Sequence, residues 1–274
     1  MSRGIPEETK RYLRRCFEDG KVACLTGAGI SAESGIPTFR GKGGLWEKYD
    51  PELYGNASGL LHLLASSPQR LVDFIADFYS ILLKAHPNPG HFALALLEKE
   101  GLLGSIITQN IDNLHQGSGS RSVIELHGNA YRIRCGACGN RLVFEKERIK
   151  EMVELIRKKR NSRFALLKVL SRYFPRCSCR ARFRIDIVLF GEMLPEEELQ
   201  RAYETIETCK TLLLVGTSLV VYPAANLPAI AKERGARIIE INNAPSAFSH
   251  LCDVRLNGPA SKILPEVAQI AGLA

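Results

Sequence analysis

The amino-acid sequence predicts an α/β protein: a doubly wound parallel sheet with a smaller second module inserted in it. Three observations predict this class. Short apolar runs alternate with longer stretches of helical spacing, the pattern of strands joined by crossover helices. The first apolar run leads directly into Gly27-Ala28-Gly29, the kind of turn that lets a ligand's phosphates approach a strand end. Two close cysteine pairs, Cys135 with Cys138 and Cys177 with Cys179, bracket a basic stretch that interrupts the alternation.

Taken in order, residues 7–19 place Tyr12, Leu13, Cys16 and Phe17 at helical spacing, and Gly20 is a good stop. Residues 22–25 read as a buried strand. The chain does not then continue into a helix and an acid-ending second strand, as an ordinary dinucleotide fold would. It enters a Gly-rich loop, residues 37–46, carrying Phe39, Arg40 and Trp46, which reads as a lid. Residues 60–84 are mostly helical, with a run starting at Pro68, and residues 91–100 form another helix closed by Gly101. Strands are expected at 105–108, 123–126, 187–189, 212–215, 237–241 and 254–256, with helices at 196–209 and 264–271. The expected division is a Rossmann-like part, residues 1–39, 86–130 and 186–274, with a cofactor-loop and helical module at 40–85. A zinc ribbon with a basic helical insertion occupies 131–185.

The composition is that of an ordinary globular chain, 45% apolar and 24% charged. Residues 1–8 lack the apolar core of a secretory signal, and the uncharged run 211–231 is interrupted by Gly216, Pro223, Asn226 and Pro228, which suits no membrane span. The expectation is a soluble, cytoplasmic protein without membrane partners. The net charge of +8 is local: residues 141–184 hold 15 basic residues against 4 acidic, a net of +11. Within it, Arg157-Lys158-Lys159-Arg160 forms an exposed knot, and Leu155, Ile156, Phe164, Leu167, Leu170 and Phe174 give the insertion an apolar side. A solvated helix face is the plain reading of residues 145–174; docking of nucleic acid or an acidic protein is the sharper one.

Of eight cysteines, Cys16, Cys24, Cys209 and Cys252 stand alone and read as small core residues. The paired four, Cys135, Cys138, Cys177 and Cys179, suit a closed tetrahedral zinc site with no open position, hence a structural metal, one per chain. A single residue between Cys177 and Cys179 is unusual spacing; unrelated thiols or a redox pair are the alternative.

The stretch from Gly27 to Arg40, GAGISAESGIPTFR, closely resembles the cofactor loop of prokaryotic-type sirtuins, the NAD-dependent protein-lysine deacylases. The resemblance continues at TQNIDNLH (108–115), ELHG (125–128), FGE (190–192), GTSLVV (216–221) and IEIN (239–242). It implies transfer of an acyl group from lysine to the ADP-ribose of NAD, with release of nicotinamide. That chemistry needs a base of near-neutral pKa, the usual role of His. The match to the Leu-His-Gly motif makes His127 the implied base. Asn110 is implied to order ribose and water, Asp112 to hold the nicotinamide carboxamide, and Gln109 to contact ribose; a helix cap is the plain alternative for Asp112.

Gly27, Ala28, Gly29, Ser31, Ala32, Glu33 and Arg40 are implied around the phosphates, and Phe39 over the reacting ribose. Gly216, Thr217, Ser218, Asn242 and Ala260 fall on the adenosine side. Acylated-lysine proteins would bind as an added strand between Phe190-Gly191-Glu192 and Ser218-Leu219-Val220, with Val188 lining the acyl tunnel. Relatives that remove acidic acyl groups carry Tyr and Arg where this chain has Ile75 and Phe78, so uncharged acyl groups are expected. A protein ADP-ribosyltransferase and a non-catalytic NAD-binding adaptor are the rival readings.

Overall fold

The computed structural model describes residues 4–39 and 43–273. Six strands form a fully parallel sheet: β1 (Val22–Thr26), β2 (Ser105–Thr108), β3 (Val123–Glu125), β7 (Thr211–Val215), β8 (Arg237–Asn242) and β9 (Val254–Asn257). The three numbers skipped belong to a small antiparallel sheet of β4 (Gly128–Cys135), β5 (Arg141–Val143) and β6 (Phe183–Ile187). The main sheet runs β3-β2-β1-β7-β8-β9, so chain order reverses direction at β1. Leu25 lies between Ile107 and Leu214 in register.

Both faces of the main sheet are covered, which is why its strands read as unbroken apolar runs. Cys24, Ile106, Leu213 and Ile239 face helices Glu7–Glu18, Pro89–Lys99 and Ala260–Ile270; Leu25, Ile107, Leu214 and Ile238 face helices Glu196–Thr208 and Leu227–Glu233. The expected helix at 60–84 is two helices, Ala57–Ser66 and Pro68–Leu82, divided at Ser67. The last helix starts at Ala260, earlier than expected, and carries Pro265 within it.

One expected strand is overturned. Residues 187–189 do not join the main sheet; the strand is Phe183–Ile187, paired antiparallel with β4, Ile187 opposite Gly128. The apolar run Ile187-Val188-Leu189 suggested a buried strand, but these side chains are only half-buried, and Gly191 at φ +82° turns the chain beyond them. The residue β6 buries most deeply is Asp186, within 3.1–3.5 Å of Arg132, Arg134 and Arg141. The strand does alternate, with Phe183, Ile185 and Ile187 packed toward the insertion's core and Asp186 on the opposite face, but the unbroken apolar run at 187–189 reads as the stronger strand.

The insertion is helical, as expected: Lys146–Lys159 and Arg163–Tyr173 form a hairpin. Phe144, Ile149, Met152, Ile156, Leu166 and Tyr173 pack with Val72, Tyr79 and Leu82 of helix Pro68–Leu82. Phe164 and Leu167, expected on the apolar side, are instead 77% and 44% exposed. No described helix is long and apolar enough to cross a membrane.

Candidate active site

The loops that follow β1, β2 and β7 converge at the carboxyl edge of the main sheet, beside its reversal point. Gly27 N–H donates to the Val215 carbonyl at 3.0 Å and Gly29 N–H to the Gly216 carbonyl at 2.7 Å. These two donors therefore close the loop against β7 instead of facing a ligand's phosphates. The glycines are needed for that approach: a Cβ on Gly29 would stand 2.6 Å from Gly216 Cα, and one on Gly216, at φ +58°, 2.3 Å from the Ile30 nitrogen. Residues 28–34 then form a 3-10 turn, leaving Ala28 and Ala32 half-buried and Glu33 exposed. Arg40 lies outside the described residues, as do Gly41 and Lys42 of the expected lid.

Ser31 is fully buried, and its hydroxyl is the hub of a polar cluster. It donates to Asp112 Oδ2 at 2.7 Å and accepts from Asn110 Nδ2 at 3.2 Å. The expected phosphate role does not fit this orientation, because the side chain points inward to the carboxylate. Asn110 Nδ2 also donates to the Gly27 carbonyl at 3.1 Å. Asp112 Oδ1 accepts from Leu114 N–H at 2.9 Å, closing a turn onto the first residue of helix Leu114–Gly117, whose cap position is Asn113 rather than Asp112. Burial pushes the Asp112 pKa up, against the opposing pull of Ser31 and Leu114.

Two histidines complete the cluster, and the sequence reading assigned neither a role. Asn88 N–H donates to His91 Nδ1 at 3.3 Å, closing a capping box for helix Pro89–Lys99 and leaving Nε2 directed at Ser31 Oγ, 3.4 Å away. His115 Nε2 lies 2.9 Å from Thr26 Oγ1, which donates to Thr108 Oγ1. Burial lowers the pKa of His91 to about 4 and of His115 to about 3, so both are neutral near pH 7. The signal was present in the PNPGH and NLH segments, but no spacing rule links them.

His127 sits on the two-residue link between β3 and β4, at the seam of the two sheets. Its Nδ1 is 2.9 Å from the Gln109 carbonyl. A carbonyl only accepts, so Nδ1 carries the proton and Nε2 presents a lone pair. Burial lowers the pKa of the ring, while that carbonyl raises it. Gln109 ties His127 to the loop after β7: its Nε2 donates to Thr217 Oγ1 at 2.8 Å. Asn242 Nδ2 donates to the Thr217 carbonyl at 3.0 Å, and Ser218 beside it is exposed. Ala260 is buried at the start of the last helix, its carbonyl against Gly90.

A mostly apolar cleft opens beside Asn110 and Asp112, walled by Ala28, Ile36, Pro37, Phe39, Leu45, Phe78, Ile81, Leu82 and Ile111. Phe78, expected at the acyl group, lines this cleft. Ile75 does not line this cleft; it packs into the core between helix Pro68–Leu82 and its neighbours. Phe39, Trp46 and Phe190 form a row of rings with centroids 5.7 and 5.8 Å apart.

Of the two peptide-flanking segments, Phe190 N–H already donates to the Gly55 carbonyl at 2.8 Å, and Glu192 is held by Arg184. Leu219 is buried, its backbone at φ +55° turning the side chain into the core, so it presents backbone but no side chain. Val220 is exposed, and Val188 N–H donates to the His127 carbonyl at 3.0 Å.

The four paired cysteines come together. Cys135 and Cys179 sulfurs are 3.4 Å apart, Cys138 and Cys177 3.6 Å, and all four lie within 4.8 Å of one another. Tetrahedral zinc with Zn–S near 2.3 Å requires sulfurs about 3.8 Å apart, so the cluster fits the ion despite its single-residue spacer. Four thiolates leave no open position, which makes the metal structural.

A family model described as the Sir2 family matches residues 27–223. An NAD-dependent protein deacylase of Pyrococcus abyssi is 44% identical over 244 residues, 89% of this chain and 90% of that protein. NAD-dependent protein deacylase 2 of Archaeoglobus fulgidus is 42% identical over 267 residues, 97% of this chain and 96% of the relative. Among solved structures, a Sir2 homologue–NAD complex superposes with TM-score 0.76 at 38% identity, covering 95% of this chain and 93% of that one. A Sir2–p53 peptide–NAD+ complex gives 0.75 at 31% identity, covering 98% and 100%.

Proposed function

The chain belongs to the Sir2 family, and from that membership we propose that it removes acetyl and other uncharged acyl groups from protein lysine in an NAD-dependent reaction. Its products are nicotinamide, O-acyl-ADP-ribose and free lysine. The observation that carries this reading is the state of His127: a neutral ring with Nδ1 committed to the Gln109 carbonyl and Nε2 bare, beside the Asn110–Ser31–Asp112 cluster. That is the geometry of a general base awaiting a hydroxyl.

In this reading Asp112, through the oxygens already oriented by Ser31 and Leu114, accepts from the nicotinamide carboxamide. Asn110 orders the ribose, and Gln109 and Thr217 border it. Phe39 covers the cleft from the lid side. The Gly216–Ser218 turn, Asn242 and Ala260 flank the adenosine. A substrate strand lies between Phe190–Glu192 and Ser218–Val220. Phe78 lines the cleft and offers no counter-charge, so a carboxylate buried against it would lack a partner, at a cost of several kcal/mol. Eight unpaired cysteines and a thiolate metal site fit the reducing cytoplasm.

The test is nicotinamide release from NAD with one peptide in acetylated, myristoylated, succinylated and unmodified forms. Release should require an acyl-lysine, and kcat/KM should be lowest for succinyl. Release without acyl-lysine, with label from NAD appearing on protein, would favour an ADP-ribosyltransferase instead. Succinyl turnover equal to acetyl turnover would refute the reading of the acyl wall.

A further inference from the structure

The turn that joins helices Lys146–Lys159 and Arg163–Tyr173 is far richer in charge than a connection requires, and Gln69 Nε2 of helix Pro68–Leu82 donates to Asn161 Oδ1 within it at 3.5 Å. Residues 157–163 contain Arg157, Lys158, Lys159, Arg160 and Arg163, five cations among seven residues with no acid between them. All five are exposed. Arg160 pairs weakly with Asp73 at 3.6 Å, both groups more than half exposed; the other four make no ion pair among the described residues.

Helix stability accounts for part of this. Arg157, Lys158 and Lys159 sit in the last turn of their helix, where cations complement the negative end of the dipole. Arg163 is the reverse case. It is the first residue of the next helix, where a cation opposes the dipole. Its neighbour Phe164 is 77% exposed, with the Arg163 guanidinium over its ring at 5.4 Å. Leu167, one turn on, is also exposed. A misplaced cation, crowded like charges and a bare aromatic thus coincide at one exposed turn, each unfavourable in water.

We propose that this turn docks into a groove of duplex nucleic acid. A groove is a track with a wall of phosphates on either side, which matches an exposed ring with exposed cations on both sides of it in the chain. Phe164 meets base edges or thymine methyls on the groove floor. A membrane fits less well, because the remaining exposed positions of the second helix include Lys168, Ser171 and Arg172 rather than an apolar face. The site is distinct from the catalytic cleft and does not depend on the proposed deacylation. Its effect would be to hold the enzyme near lysines of proteins that sit on nucleic acid.

The experiment is fluorescence anisotropy with a labelled random-sequence duplex, the intact zinc-loaded protein and a salt series from about 50 to about 200 mM. The wild type should bind in the micromolar range, and affinity should fall steeply with salt. Combined Lys158→Ala, Lys159→Ala, Arg160→Ala and Arg163→Ala should lower the slope of log K against log salt by about 3 to 4. Phe164→Ala should weaken binding several-fold with the slope kept. Turnover of a short acyl-peptide by both variants reports that the fold and catalytic site are intact.

No binding at the lowest salt, or a salt slope unchanged in the four-site variant, would overturn the proposal. Equal or tighter binding to polyglutamate would reassign the turn to an acidic protein. Tight binding to anionic vesicles with none to duplex would reassign it to a membrane surface.

Discussion

Replacing Glu125 with Gln tests whether the seam between the two sheets is a working part of the site. Glu125 is the last residue of β3, two before His127, and it is 5% exposed. Its Oε1 accepts from Gln116 Nε2 at 2.8 Å and Asn129 Nδ2 at 2.6 Å, and its Oε2 lies 2.6 Å from Arg132 Nη1. Asn129 in turn donates to Asn113 Oδ1, next to Asp112. The carboxylate therefore braces both His127, the proposed base, and the turn that carries Asp112. A Gln can satisfy the two amide donors or turn its own NH₂ away from Arg132, but it cannot do both, so one contact becomes donor against donor.

Breaking a buried ion pair costs about 3–5 kcal/mol. Arg132 is a quarter exposed and keeps Asp186 at 3.1 Å, so about 2–3 kcal/mol is the expected loss here. For a chain of this size that lowers Tm by about 5–8 °C. A base displaced by a fraction of an ångström should also lower kcat by about tenfold. The assays are thermal unfolding and steady-state deacylation, repeated with Arg132→Met alone and combined. If the donor-against-donor contact with Arg132 is the source of the loss, the double variant, which keeps Arg134 and Arg141 beside Asp186, should recover much of the stability. An unchanged Tm and unchanged kcat for Glu125→Gln would show that the network carries no strain to the base, and the bracing argument would fail.

Two further outcomes follow from the same geometry. His127→Ala should retain NAD binding and the fold while losing deacylation by about 10²–10⁴-fold. Because burial lowers its pKa beneath 6.5, the acid limb of wild-type kcat should lie below pH 6.5, with neutral base and full rate above it; a limb at higher pH would remove His127 from that role. Stripping the metal with a strong chelator should release one zinc per chain and loosen the β4-β5-β6 sheet, measured by metal release and hydrogen exchange in residues 128–187. Unchanged exchange after complete metal loss would show that the cysteine cluster does not hold that sheet.

What the sequence made legible were features carried by local chemistry. The apolar runs of the main sheet stood out because both faces are buried, and the Gly27–Gly29 turn because only glycine tolerates Gly216 so close. The cysteine cluster was legible despite its odd spacer because thiolates have few other reasons to pair. The misses have separate causes. Strand β6 alternates at Phe183, Ile185 and Ile187 but lies beside the unbroken apolar run 187–189, which reads as the stronger strand, and His91 and His115 gained meaning only where Ser31 and Thr26 met them across long sequence separations. Ser31, which the resemblance implies near the phosphates, is turned inward to Asp112 by a 3-10 turn. Leu219, expected beside the substrate strand through its backbone, has a buried side chain and a left-handed backbone.

The electrostatics of the cleft give those hidden groups a common purpose. Breaking a nicotinamide–ribose bond moves positive charge from the ring toward the sugar, so a cation nearby would oppose both the bound cofactor and the developing charge. Three histidines lie at or behind this point, and each is held neutral: His91 by burial and its bond from Asn88, His115 by burial, and His127 by burial with its proton fixed on Nδ1. Asp112 is the one ionisable residue among the described walls of the cleft. Its neighbours Ser31 and Leu114 donate to it, which favours the anion against the burial that raises its pKa. The arrangement thus keeps the histidines uncharged, as acceptors and donors, while the one ionisable group among the described walls is an oriented carboxyl. One of the three, His127, sits at the seam where its bare nitrogen can take a proton. The other two hold Ser31 and Thr26, and through Ser31 the carboxylate, in place.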